Sequence, residues 1–258
     1  MHISFKNNIV IVTGGASGIG KSICDNFHQR GATVLVLDND QSKVNIINDY
    51  NDDNFKAYLV DLTNIKKVKL IINEIHSQYK DIHILVNNVG LNLIEKFENV
   101  DEDNFNLVLD VNLKSAYFCT QEVVKYMILK KSGKIINISS QAGITGQPYM
   151  STYCAAKFAI IGFTQALALE LGQFNITVNS ICPGDVKDTD MHDITAKKLT
   201  EILNISKKEL INKSINKCPL NRLQLPQDVS NSVMYIASEY ANFITGEALN
   251  VSGGLEFH

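Results

Sequence analysis

The stretch "IVIVTGGASGIG", Ile9 to Gly20, decides the fold. It begins as a short β-branched run, which favours a strand. It then places glycines at 14, 15, 18 and 20, and a helical spacing of apolar residues starts at its end. The pattern is T-G-x-x-x-G-x-G. Glycines let the backbone turn tightly and approach a ligand, while a helix N-terminus offers unpaired N–H groups and the positive end of a dipole. A strand before and a helix after that turn predict a cradle for a dinucleotide pyrophosphate. Gly14, Ser17, Gly18, Ile19 and Gly20 are the expected contacts.

Outward from this loop, strand-like runs alternate with helical patterns. The runs "TVLVLD" (33–38), "KAYLVDLT" (56–63), "IHILVNNVG" (82–90), "GKIINISS" (133–140), "NITVNSICPG" (175–184) and "EALNVSGG" (247–254) read as buried strands. Segments 18–32, 64–80, 104–131 and 153–172 have the length and spacing of crossover helices. Near-continuous apolar strands separated by helices mean a parallel sheet covered on both faces. The expected fold is therefore α/β: one Rossmann-like, doubly wound domain over 1–258, with about seven parallel strands. No linker, repeat or low-complexity tract divides it.

Composition narrows the function. The 258 residues carry a net charge of −3, with no basic stripe, so a nucleic-acid partner is not expected. Five widely spaced cysteines without C-x-x-C point to reduced thiols and a cytoplasmic setting. No apolar stretch reaches 18 residues and the start lacks a signal-peptide pattern, so no membrane association is expected. The six histidines show no metal-ligand spacing, and no metal site is expected.

Strand ends supply the next candidates, because ligands of open α/β sheets bind at the carboxyl ends of strands. Asp38 ends the second strand, where a carboxylate accepts from ribose hydroxyls and repels a 2′-phosphate. Neither Ala16 nor Asn39 is basic, so NAD is expected over NADP. Asp61, with Leu62 beside it, follows the third strand and is expected near the adenine. Asn88 follows the fourth and is expected near a ribose.

"PYMSTYCAAK" (148–157) holds Tyr153 four residues before Lys157. By itself the pair also fits an ordinary helix face. In order along the chain stand the glycine loop, "NNVG" at 87–90, Asn112, Ser140, Tyr153-x-x-x-Lys157, "PGDV" at 183–186 and "ITGEALNVSGG" at 244–254. This set resembles the short-chain dehydrogenase/reductase family over essentially the whole chain. The resemblance implies hydride transfer between a nicotinamide cofactor and a small alcohol or ketone. It implies Tyr153 as general acid/base, and Lys157 as the residue that lowers the phenol pKa and holds the nicotinamide ribose. It implies Ser140, with Ser139 competing, as the hydroxyl on the substrate oxygen, and Asn112 as holder of a relay water. Val186 joins the implied cofactor contacts. Tyr149 reads as a pocket-wall or loop aromatic, and Val89 stands where Ala is commoner.

The family resemblance makes the segment from about 186 to 217 a substrate lid. Its length, and the tail "GLEFH", resemble members acting on polyols, acetoin or hydroxy acids. The leading expectation is thus NAD-dependent interconversion of a secondary alcohol (polyol, diol or hydroxy acid) and its ketone. The alternatives are an NADPH-dependent 3-oxoacyl or natural-product ketoreductase and a dinucleotide sensor without turnover. Apolar residues on several faces of 104–131 and 153–172 lead to an expected homotetramer or homodimer.

Overall fold

The computed structural model describes residues 3–257; Met1, His2 and His258, the last residue of the tail, lie outside the described residues. Seven strands form one sheet: β1 Ile9–Thr13, β2 Thr33–Asp38, β3 Phe55–Leu59, β4 Ile84–Asn87, β5 Gly133–Ile138, β6 Ile176–Pro183 and β7 Ala248–Val251. Their order is β3-β2-β1-β4-β5-β6-β7. Every pairing is parallel, with Val12 of β1 between Val36 of β2 and Val86 of β4.

The helices are α1 Gly18–Gln29, α2 Gln41–Asp49, α3 Ile65–Tyr79, α4 Glu102–Leu109, α5 Ser115–Lys130, α6 Ser151–Leu171, α7 Asp190–Leu203, α8 Lys207–Lys217 and α9 Pro226–Ala237. Alternation along the strands feeds two cores. Val10, Val12, Val34, Val36, Ile84 and Val86 face Ile23 and Phe27 of α1 and Val229 and Val233 of α9. Ile11, Leu35, Leu37, Leu85 and Ile135 face Val68, Ile72 and Ile75 of α3 and Val123 and Met127 of α5. Both faces of each central strand are dry, which is why these runs read as continuously apolar.

Strand order reverses beside β1, where the chain returns to add β4 on the side opposite β2. The loops leaving β1 and β4 diverge there and open a crevice at the carboxyl edge of the sheet. The site sits in that crevice.

One expected helix is broken. Segment 104–131 is α4 and α5 joined by a π-helical turn, Asp110–Lys114. A π turn inserts an extra residue into the helix and re-aims its side chains. The re-aimed residue here is Asn112, which reaches back to the β4 loop. The stretch Ser151–Phe174 is long and apolar enough, by length and composition, to cross a membrane. The sequence reading, which looked for unbroken apolar runs, did not single it out. In the structure its buried face carries Tyr153, Ala156, Lys157 and Ile160. Phe158 and Leu169 of the same helix are exposed.

Candidate active site

A cleft of about 920 Å³ runs along the carboxyl edge of the sheet. Its floor begins at the glycine loop. Gly14 and Gly18 have φ of +61° and +53°, conformations that residues with a Cβ rarely adopt. A Cβ on Gly20 would lie 2.0 Å from the carbonyl oxygen of Gly14, so the turn closes directly on its own backbone. Ser17 is the N-cap of α1, but its side chain makes no capping hydrogen bond. The first N–H groups of α1 therefore have no side-chain cap, and Ser17, Gly18, Ile19 and Gly20 line the cleft. A glycine cradle at an uncapped helix start fits a pyrophosphate.

Polar side chains brace this floor. Asp38 accepts from the Ala16 N–H through one carboxylate oxygen and from the Asp40 N–H through the other, each at 3.1 Å. It lines the cleft together with Asn39, Asp61, Leu62 and Thr63. Asp61 accepts from the Thr63 N–H at 2.9 Å and hydroxyl at 2.8 Å. Asn88 borders the cleft, but its amide donates to the carbonyls of Thr13 (3.1 Å) and Gly14 (2.9 Å). It straps the β4 loop onto the glycine turn, a positioning task the sequence reading did not foresee. Val89 packs at the same place: a Cβ on Gly14 would lie 2.9 Å from its Cγ2.

The four expected catalytic side chains come from three chain segments. Asn112, on the π turn, donates to the carbonyls of Leu91 (2.7 Å) and Val108 (2.9 Å) and accepts from the Leu91 N–H (3.2 Å). Its amide is a clamp between helix and loop. A Cβ on Gly90 would lie 3.1 Å from Asn112 Oδ1 and 3.4 Å from Lys157 Nζ, so only glycine leaves that approach open. Ser139 donates its hydroxyl to the Lys157 carbonyl at 2.9 Å and is buried. Ser140 accepts from the Ala142 N–H at 3.1 Å and lines the cleft with Tyr153, whose phenol pKa it lowers. Of the two competing serines, Ser139 spends its hydroxyl hydrogen on the backbone, whereas the Ser140 hydroxyl only accepts.

Tyr153 and Lys157 share one face of α6, and both are buried. Lys157 Nζ donates to the Ile138 carbonyl at 3.0 Å and lies 5.5 Å from the centroid of the Tyr153 ring. Burial pushes the phenol up to about 12, although Ser140 pulls it back. Burial brings the lysine down to about 8. The causes acting on the Tyr153 phenol in this fold are burial, Ser140 and Cys154, and Lys157 is not among them. The desolvation of a charged phenolate outweighs the pull of Ser140, and the ammonium is directed at a carbonyl instead.

The segment expected to act as a lid, about 186–217, folds as α7 and α8 and borders the cleft. Val186 pairs with Gln224 at its base, and Asp188 turns the chain with φ of +61°. Thr189 caps α7 by accepting from the His192 N–H at 3.1 Å. Three polar contacts hold the lid over the cleft. Asn92 donates to Thr195 at 3.2 Å, His192 Nδ1 meets Asp185 Oδ1 at 2.8 Å, and Lys43 lies 3.5 Å from Asp190. Tyr149 lines the cleft with φ of +65°, unusual for an aromatic residue.

The sequence reading missed Thr189, Asn92, Thr195 and the Asp185–His192 pair. Thr189 was findable as a Thr directly before a helical pattern with acidic residues in its first turn. The histidines had been weighed only as metal ligands. Among the described residues, no group of His, Cys, Asp or Glu has the arrangement of a metal site.

The family model for short chain dehydrogenases matches residues 8–199. Among curated proteins, the chain is 34% identical over 253 residues to the 3-oxoacyl-(acyl-carrier-protein) reductase FabG of Rickettsia typhi, covering 98% of each chain. The protein of the same name from Haemophilus influenzae is 34% identical, covering 97% of this chain and 98% of its own. That from Vibrio cholerae is 31% identical, covering 98% of this chain and 99% of its own.

Proposed function

The chain belongs to the short-chain dehydrogenase family, and from that premise we propose that it interconverts a 3-oxoacyl group and the corresponding 3-hydroxyacyl group, using NAD(H). The observation that carries this reading is the convergence of Ser140, Tyr153 and Lys157 on one cleft in a chain that aligns over 98% of its length with a 3-oxoacyl reductase. The earlier preference for a polyol, diol or hydroxy acid gives way to it. That preference stays as a second reading because Asn92, Thr195 and His192 give the lid side of the cleft a polar lining.

The glycine loop, the start of α1, Asp38, Asp61, Leu62, Asn88 and Val186 would hold the dinucleotide, whose nicotinamide ring supplies the hydride donor or acceptor. Ser140 donates a hydrogen bond to the substrate oxygen, where negative charge develops during reduction. Tyr153 then gives that oxygen its proton. A phenol at about 12 is protonated throughout the physiological range and so holds the proton that the substrate oxygen needs. Lys157, an ammonium below about pH 8, can return a proton to the phenolate. Asn112 sets the distance between the β4 loop and Lys157, and a water held there would extend the relay. A dinucleotide sensor would not require all of these groups in one cleft.

The NAD preference rests on Asp38. The cleft residues around it are Asn39, Asp61, Leu62 and Thr63, none of them a cation, and nearby Lys43 is paired with Asp40 and Asp190. All five cysteines are free and buried, which fits a cytoplasmic enzyme. Exposed Phe105, Leu107, Tyr117, Leu129, Phe158 and Leu169 on α4, α5 and α6 favour a homotetramer or homodimer through these helices.

The test is reduction of acetoacetyl-N-acetylcysteamine thioester, followed at 340 nm with NADH and with NADPH, beside oxidation of a panel of diols and hydroxy acids. Turnover of the thioester with NADH preferred is expected. Turnover of the diols or hydroxy acids alone would replace this reading with the second one.

A further inference from the structure

The catalytic groups account for one oxygen of the substrate, the one that Tyr153 and Ser140 address. The cleft holds another organised polar pair with no part in that chemistry. His192 stands in the first turn of α7 and lines the cleft, with its side chain 11% exposed. Asp185, at the exit of β6, holds its Nδ1 at 2.8 Å. An ionised carboxylate only accepts, so Nδ1 carries the hydrogen of that bond. Among the described residues no protein group bonds Nε2, and Nε2 is not among the buried polar atoms without a partner. It therefore opens onto space, and the space His192 borders is the cleft. Its backbone is held as well, because Thr189 accepts from the His192 N–H. A ring held at Nδ1 by Asp185, on a backbone anchored by Thr189 and with its other nitrogen free toward a substrate cleft, is arranged to recognise a ligand atom.

We infer that His192 is a specificity-determining residue whose Nε2–H donates a hydrogen bond to a second oxygen of the substrate, apart from the oxygen that Tyr153 protonates. On the 3-oxoacyl reading proposed above, on which this identification rests, that second oxygen is the acyl carbonyl. Since Nδ1–H is engaged by Asp185, Nε2 is a donor only in the imidazolium; in the neutral ring it presents a lone pair and repels an oxygen. The hydrogen bond to Asp185 raises the imidazole pKa against the opposing effect of burial. Asp193 of α7 reinforces the raise and Lys207 of α8 opposes it. The remaining charged groups on the lid side of the cleft are Asp190, which pairs with Lys43, and Lys213, Lys217 and Glu256.

The experiment is steady-state kinetics with the acetoacetyl thioester and with the diol and hydroxy-acid panel, from pH 5.5 to 9. It compares the wild type with His192→Phe, His192→Gln and Asp185→Asn, with NADH binding as the check on folding. His192→Phe should raise KM for the thioester about tenfold with little change in kcat, the signature of a lost uniform binding contact. His192→Gln, which keeps a donor, should retain most of the affinity. Wild-type KM should climb as pH rises through the imidazolium titration. That climb should move to lower pH in Asp185→Asn and vanish in His192→Phe. A thioester KM that is flat with pH and unchanged in His192→Phe would overturn the inference and leave the 3-oxoacyl reading standing. If the thioester is not reduced but the KM of a diol or hydroxy acid depends on His192 in this way, the 3-oxoacyl reading falls and the second-oxygen contact stands. If no substrate's KM responds to His192, the inference falls.

Discussion

The floor of the cleft and its lid are built in opposite ways. In the floor, polar side chains are spent on backbone: Asn88 on Thr13 and Gly14, Asp38 on Ala16, Asn112 on Leu91. Beneath it lie two apolar cores. In the lid, α7 buries only Ala196 and α8 buries no residue at all. Its ties are Thr195 to Asn92, His192 to Asp185, and the exposed pair Lys43–Asp190. An exposed ion pair contributes about 0–1 kcal/mol. A segment with few buried apolar contacts opens at a small fraction of the global stability. On the proposed function the difference would separate two tasks: the floor would hold reacting groups in register, and the lid would admit and release substrate.

Tyr153→Phe attacks the floor at its chemical centre and should show the largest effect. It removes the proton donor and keeps the ring, so kcat should fall about 10²–10⁴-fold while NADH affinity changes little. Stopped turnover with intact nicotinamide fluorescence titration is the check. Gly20→Ala tests the floor's rigidity. The added Cβ meets the Gly14 carbonyl at 2.0 Å, so the turn must shift. We expect a loss of about 1–3 kcal/mol in denaturant stability, typical of overpacking, together with weakened NADH binding.

Buried Lys157 gives the floor a pH signature. Its pKa is lowered from 10.5 to about 8, so the folded state releases this proton before the unfolded chain does. Stability from this group therefore rises as pH increases from about 8 to 10.5, and the cost of the buried charge is in full force below that window. Lys134, which burial also lowers to about 8, adds to the same window, so Lys157→Met should remove only its share: the stability of the wild type relative to the variant should rise from about pH 8 to 10.5 in denaturant melts of the cofactor-free protein. Thr195→Val tests the lid and should have the smallest effect. It deletes the tie to Asn92, so amide exchange across 190–217 should quicken while the global melt moves by under about 1 kcal/mol. A large global loss would mean that the lid is part of the core, and the contrast with the floor would fail.

Much of the floor was legible in the chain. The strands of the central sheet bury both faces, and such runs are continuous in sequence. The glycine loop announces itself because close backbone approach excludes every side chain. Tyr153 and Lys157 are one helical turn apart, so their adjacency is local. The π turn at Asp110–Lys114 was not legible, since its helical spacing reads straight through from α4 to α5. The role of Asn88 was hidden because its partners, Thr13 and Gly14, lie 75 and 74 residues away in the chain, beyond α1, α2 and α3. His192 escaped because its partner is close in sequence but across a turn whose shape depends on Asp188 adopting φ of +61°.

The amino-acid sequence by itself determined the parallel sheet, the glycine loop and the placing of Tyr153 and Lys157 on one helix face. These follow from short-range sterics and from apolar periodicity, both of which are written into neighbouring residues. Only the tertiary structure decided which serine is free, where the Lys157 ammonium points, and how far burial moves the Tyr153 phenol. Desolvation and hydrogen-bond partnership are properties of the folded surroundings. They are set by segments distant in the chain, and no local pattern encodes them.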